Sequence, residues 1–244
     1  MSRMISRGLL CGLLAFTLSC DTLNQIATTA AEQYANANPT QGEMIQGLKE
    51  ALANGAKFAT GSLGAEGGYF NDPIVRIPFP EEAEVVATKM RQIGLGSLVD
   101  DFERKLNEGA EEGAKLALPI FKEAITGMTL NDAKGILLGG DNAATEYFKG
   151  KTSAQLQTTY GGVIQQSLDE VGAAKAWTEI TTRYNKIPFV KQVNTDLVSY
   201  TTGKALDGLF LKVAEEEAKI RQEPIARTSE LLKKVFEYAD REKQ

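Results

Sequence analysis

Apolar residues recur at steps of three and four along most of the chain, the spacing that gives an α-helix one face for a core. The longest clean run lies between Asp196 and Arg227, where Leu206, Leu209, Phe210, Val213, Ala214, Glu217 and Ile220 follow the period. This predicts a helix over Gly203 to Arg221. Pro224 ends that helix or opens the next. In the next one, Ile225, Leu232, Val235, Phe236 and Ala239 form the apolar stripe.

The body of the chain reads the same way. Thr40 and Glu43 have capping-box spacing ahead of Met44, Leu48, Leu52 and Ala56, and the glycines from Gly61 to Gly68 are expected to end that helix. The stretch 69–80, YFNDPIVRIPFP, holds three prolines and alternating apolar positions, which predicts an extended arm with one short strand pair. Helix resumes over 81–93. Leu98 to Ile125 is a long amphipathic run that Pro119 should kink or divide. Thr129 and Asp132 mark another helix start, Gly139-Gly140 a stop, and Asp141 a cap for the helix after it. From Ser153 to Ile187, Gly161-Gly162 and Gly172 are expected to divide the pattern into two or three helices. The fold class expected is all-α: one bundle-like domain of many helices over 41–240, with the arm near 69–80.

The first residues follow a different rule. Arg3 and Arg7 precede an apolar run of 11 residues, Gly8 to Leu18, too short to cross a bilayer and right for the core of an export signal. The ending Leu18-Ser19-Cys20 is similar to a bacterial lipobox, although Thr17 stands where a leucine is usual. The expectation is a signal over 1–19, a lipid on Cys20 and a polar tether over 20–40. Cysteine use agrees with this reading. Of the two cysteines, Cys11 would leave with the signal, so Cys20 would have no disulfide partner. The expected partner is a membrane, reached through the acyl anchor, and the expected location is the bacterial cell envelope on its periplasmic side.

Composition narrows the chemistry. The chain has no histidine, which excludes Ser-His-Asp and Cys-His nucleophile systems and the HExxH zinc site. The net charge is −5, and losing Arg3 and Arg7 with the signal makes it more negative. No basic stripe is visible, so nucleic acid is not an expected partner. Ile136 to Asp141 lacks the G-x-x-x-x-G-K-[ST] pattern of a phosphate loop. No cofactor or metal is implied.

Four residues remain as ligand-site candidates. Asp207 has Gly203, Phe210, Leu211 and Ala214 as its helical neighbours, which places it at the edge of the apolar face or inside it. There a carboxylate needs a partner or a raised pKa. Arg221 and Arg227 flank the proline corner and would hold an anion or pair with acids of their own fold. Glu217 and Arg221 have the spacing of a surface ion pair worth a few tenths of a kcal/mol. Tyr200, with Tyr69, Tyr147, Tyr160 and Tyr184, would line a cleft or ring the core. Asp132, Asp141 and Asp207 would have to converge to act as an acid–base set.

The blocks GLKEAL (47–52), IVRIPFP (74–80), MTLNDAKGILLGG (128–140), DLVSYTTGKALDGLF (196–210), EEEAKIRQEP (215–224) and ARTSELLKKVF (226–236) resemble those of a bacterial family of exported proteins, domain-of-unknown-function family 4197. The resemblance spans roughly residues 41–240. It implies an all-helical envelope protein with a lipoprotein-type signal, and no activity or catalytic residue. Three functions are therefore expected in turn: a non-catalytic, membrane-tethered helical module that binds a protein or an envelope component, a carrier of an acyl chain or other apolar ligand, and a carboxylate-dependent hydrolase.

Overall fold

Capping chemistry sets where the helices begin. The computed structural model describes residues 38–243 except 82–83, 95, 171, 187, 190–191 and 193–195. The signal, Cys20 and most of the tether lie outside the described residues. Thr40 and Glu43 form the capping box: the Glu43 amide donates to Thr40 Oγ1 at 3.2 Å, and the Thr40 amide donates to Glu43 Oε2 at 2.8 Å. Helix α1, Gln41–Leu63, follows and runs past Gly61 before stopping at Gly64.

Helix α2 is Glu84–Gln92 and α3 is Gly96–Thr126. Pro119 lies inside α3 without dividing it. The residue is exposed, so the N–H it lacks is missing on the solvent side of the helix. Helix α4, Leu130–Leu137, opens on the second capping box, Thr129 with Asp132. The Thr129 amide and hydroxyl both donate to Asp132 and hold its carboxyl below the ordinary range.

Helix α5, Ala143–Glu170, passes through Gly161 and Gly162 unbroken. The expected split occurs only at Gly172, whose φ of 66° is left-handed. Helix α6 is Ala173–Tyr184, and α7, Leu197–Gln222, starts on Asp196, which accepts the Ser199 amide at 2.9 Å. A single 3₁₀ turn, Pro224–Ala226, leads to α8, Glu230–Glu242, capped by Ser229. Ile225 is 91% exposed, so the apolar stripe of α8 starts only at Leu232.

The arm over 69–80 contains no strand. Its backbone finds a side chain instead: the Ile77 amide donates to Asn107 Oδ1, and Asn107 Nδ2 donates to the Ile77 carbonyl, each at 2.9 Å. This supplies the two bonds of a ladder step from α3. Val75, Ile77 and Phe79 are thereby held in the core.

Helices α3 and α5 run antiparallel and close together. Gly109 faces Ile164 and Gly113 faces the ring of Tyr160. Helix α7 lies antiparallel along α5, with Glu217 bonded to Ala144 and Thr202 beside Gly161, and α1 packs against α3, α7 and α8. The core between them includes Leu48, Leu106, Phe121, Phe148, Leu156 and Leu209. A second aromatic group, Phe79, Phe102 and Trp177, joins the arm, α3 and α6. All regular structure among the described residues is helical.

A Cβ at Gly113 would stand 2.4 Å from Cδ1 of Tyr160, whereas one at Gly162 meets open space. Gly113→Ala is expected to cost about 1–3 kcal/mol through overpacking. Gly162→Ala is expected to gain up to about 1 kcal/mol from helix propensity. Thermal melting of the two variants should move in opposite directions.

Candidate functional site

The acid with the strongest claim from its neighbours is not the buried one. Asp207 is exposed, and it shares that solvent face with Gly203 and Leu211. The expectation of a half-buried carboxylate there is overturned. Glu217, ten residues on, is 8% exposed and lies in line with Leu209 and Val213 on the core side of α7.

Glu217 closes the start of α5. Its Oε1 accepts from the Ala144 amide at 2.9 Å and from Nε and Nη2 of Arg221 at 3.0 and 2.8 Å. Its Oε2 accepts from the Thr145 amide at 2.9 Å and the Thr145 hydroxyl at 2.8 Å. The carboxylate thus sits on the free amides at the positive end of α5. Asp141, expected to cap this helix, stays exposed in the turn before it. Arg221 then reaches the other side of the corner. Its Nη2 donates to the Ile136 carbonyl at 2.8 Å and its Nη1 to the Leu137 carbonyl at 3.4 Å, at the negative end of α4. The expected surface pair is a buried clamp: the two side chains are 5% and 9% exposed.

Arg227 does the same for α7. Its Nε donates to the Ile220 carbonyl at 3.1 Å and its Nη2 to the Arg221 carbonyl at 2.8 Å, while Asp240 of α8 pairs with it at 2.8 Å. Lys243 donates to the Gly139 carbonyl at 2.6 Å. Both arginines therefore pair with acids of their own fold. Tyr200 lies apart from this corner and donates to the Pro78 carbonyl at 3.2 Å, tying α7 to the arm.

Beside the clamp lies a cleft of about 30 Å³, walled by Leu52, Ala56, Phe148, Val213 and Phe236. That is room for about two water molecules. Drug-sized ligand sites begin at about 300 Å³. Glu217 borders the cleft with five donors already on its two oxygens. It is held to bridge helices, with little left to accept a substrate proton.

Two further polar clusters are buried. Glu111 of α3 accepts the amides of Gly67, Tyr69 and Phe70 at 3.1, 3.2 and 3.4 Å and so fixes the start of the arm. Tyr69 donates from its hydroxyl to the Ala205 carbonyl at 2.8 Å. The Tyr160 hydroxyl lies near enough for the two phenols to affect each other but outside hydrogen-bond geometry, and among the described residues it and Thr202 Oγ1 have no hydrogen-bond partner. Burial pushes both phenols above the ordinary tyrosine range.

The carboxylates considered as an acid–base set have separate surroundings: Asp132 is tied into its capping box, and Asp141 and Asp207 are exposed on different elements. Among the described residues no group of three or more acids or cysteines could hold a metal ion. Glu217 carried a readable signal, since an acid placed in register with Leu209 and Val213 must be buried with them. Glu111 carried the same signal beside Ala110 and Ala114. What neither pattern shows is the partner, 73 residues away for Ala144 and 42 for Tyr69.

The model of the family described as Protein of unknown function (DUF4197) matches residues 38–237. No curated protein and no solved structure matches the chain.

Glu217→Gln removes a buried charge from both Arg221 and the α5 amides. It is expected to cost about 3 kcal/mol, a fall of roughly 10 °C in the melting midpoint of a domain this size. Asp207→Asn is expected to stay within about 0.5 kcal/mol of the parent. The two tyrosines predict alkaline sensitivity. Their folded pKa values lie above the unfolded value, so their contribution is complete below about pH 10 and is lost as pH rises, by about 1.4 kcal/mol per pH unit for each phenol. Tyr160→Phe should halve that slope in urea titrations and leave stability at neutral pH equal or higher, because it deletes an unpaired hydroxyl.

Proposed function

The chain belongs to the DUF4197 family, and on that premise we propose that it is a cell-envelope lipoprotein: a non-catalytic helical interaction module held at a membrane by an acylated Cys20 and facing the periplasm. One observation carries the non-catalytic part of this reading. The buried acid of the site, Glu217, has both oxygens filled by its own fold. A general acid or base needs a free position within reach of its substrate.

The carrier reading finds less support at this corner, where the cleft of about 30 Å³ is far smaller than an acyl chain. The hydrolase reading loses the convergence of Asp132, Asp141 and Asp207 that it required. The tethering part rests on the basic, apolar and Ser-Cys segments of the first 20 residues. Among the described residues no helix is long and apolar enough to cross a bilayer. The anchor proposed is the lipid on Cys20.

Cells given an alkyne-bearing fatty acid should label the wild-type protein and leave Cys20→Ala unlabelled. Equal labelling of the two would remove the anchor. Native mass spectrometry of the extracted protein should show only the acylated polypeptide. A further, non-covalent apolar mass would replace the module with the carrier.

A further inference from the structure

Helix α5 carries one long line of side chains that its own fold leaves in solvent. Lys151, Gln155, Thr158, Gly162, Gln165 and Asp169 recur at steps of four and three, the spacing of a seam between two packed helices. All six are exposed. From residue 152 to residue 168 there is no Asp, Glu, Lys or Arg, the longest such stretch in a chain that is 24% charged. A solvated helix face ordinarily carries charged residues along its length. This line carries amides and small residues instead, with one cation at its start and one anion at its end.

Both ends are open to a partner. Lys151 rests over the Tyr147 ring, 5.7 Å from its centre, and forms no ion pair among the described residues. The acid that feels its charge, Asp132, is tied into its capping box. Asp169 accepts one side-chain hydrogen bond, from Gln165 Nε2 at 2.9 Å. The surrounding charges are answered locally. Lys105 pairs with Glu108, Glu112 with Lys115 and Lys149 with Glu146, each within its own helix. Glu170 faces Lys105. Alongside, α7 adds Lys204 and Asp207, one exposed charge of each sign.

The six positions are symmetric about residue 160. A two-fold axis there sets Lys151 against Asp169 of a second copy, Gln155 against Gln165 and Thr158 against Gly162. Each pairing is complementary. Opposite charges meet at the ends, and each amide both donates and accepts. In the middle, threonine takes the space that glycine leaves. A Cβ at Gly162 meets nothing within 4 Å in its own chain. Internal packing therefore does not call for a glycine in mid-helix, where it lowers helix propensity. A parallel arrangement would set lysine on lysine and aspartate on aspartate. Two chains at −5 each repel over much of their surface; along this line they do not.

We propose that α5 is the contact of a homodimer, in which two copies of this chain meet along 151–169 with their α5 helices antiparallel. The proposal deepens the interaction-module reading by naming a second copy as the partner. Lys151 and Asp169 stand about 27 Å apart along the helix. A two-helix contact of that length belongs to the small, reversible class of interface, below about 1,200 Å².

Two readouts on the full chain in detergent test it. A zero-length carbodiimide joins an amine to a carboxylate only where they touch, and no single α5 helix can bring its own Lys151 to its own Asp169. In a mixture of isotope-labelled and unlabelled chains, peptides joining residues 151 and 169 across the two labels should appear. Sedimentation equilibrium at low salt then reads the affinity. Lys151→Glu or Asp169→Lys alone should weaken self-association roughly tenfold, two ion pairs turning to repulsion. Mixing the two variants should restore the wild-type affinity, because opposite charges then meet at both ends. Absence of the mixed-label 151–169 peptide, or a mixture that associates no better than either variant alone, overturns the proposal. Fatty-acid labelling at Cys20 depends on neither readout, so the dimer and the anchor stand or fall separately.

Discussion

A charge removed from water must be answered from every side, and in this protein that constraint fixes the bundle. Glu217 and Arg221 leave solvent on the core side of α7, and the cost of doing so is met by backbone rather than by other charges alone. The carboxylate takes the amides at the start of α5, and the guanidinium takes the carbonyls at the end of α4. Two helix ends that would otherwise be uncapped are closed by one pair, and the pair is neutral as a unit. Glu111 repeats the device with three loop amides, and Arg227 repeats it with the last turn of α7. In each case a long-range side chain does what a local cap does elsewhere.

That division explains which features were readable from the chain. Thr40 with Glu43, Thr129 with Asp132, and Gly172 act over three or four residues or on their own backbone, so their spacing announces them. Helix periodicity likewise gave the all-α class, because steps of three and four are local. The arm departs from the expected strand pair because its partner is distant. Its apolar alternation is real and its inward side chains are buried, but the bonds that a second strand would have supplied come from Asn107, 30 residues on. Gly161 and Gly162 stay inside α5 for a related reason. Glycine lowers helix propensity by at most about 1 kcal/mol, and the packing of α5 between α3 and α7 outweighs it.

The candidate site shows the same limit more sharply. Asp207 and Glu217 occupy one helix and both have apolar neighbours at helical spacing. Asp207 counts Gly203 and Leu211 among them, yet those residues face water with it. Glu217 stands in the row of Leu209 and Val213, which do not. An apolar neighbour is informative only once the buried side of the helix is known, and α7 packs on α1, α5 and the arm at once, which widens the buried face.

The clamp has a consequence for how the chain is assembled. The Glu217 and Arg221 bonds span 72 to 85 residues. A polypeptide delivered from its N-terminus holds the α4–α5 corner with bare amides and carbonyls until the last fifth of the sequence arrives. Closing so long a loop is slow relative to forming any single helix. The bundle therefore has its two halves waiting on a late-arriving latch, and in a nascent chain that corner stays unclosed until α7 is free to turn back onto it.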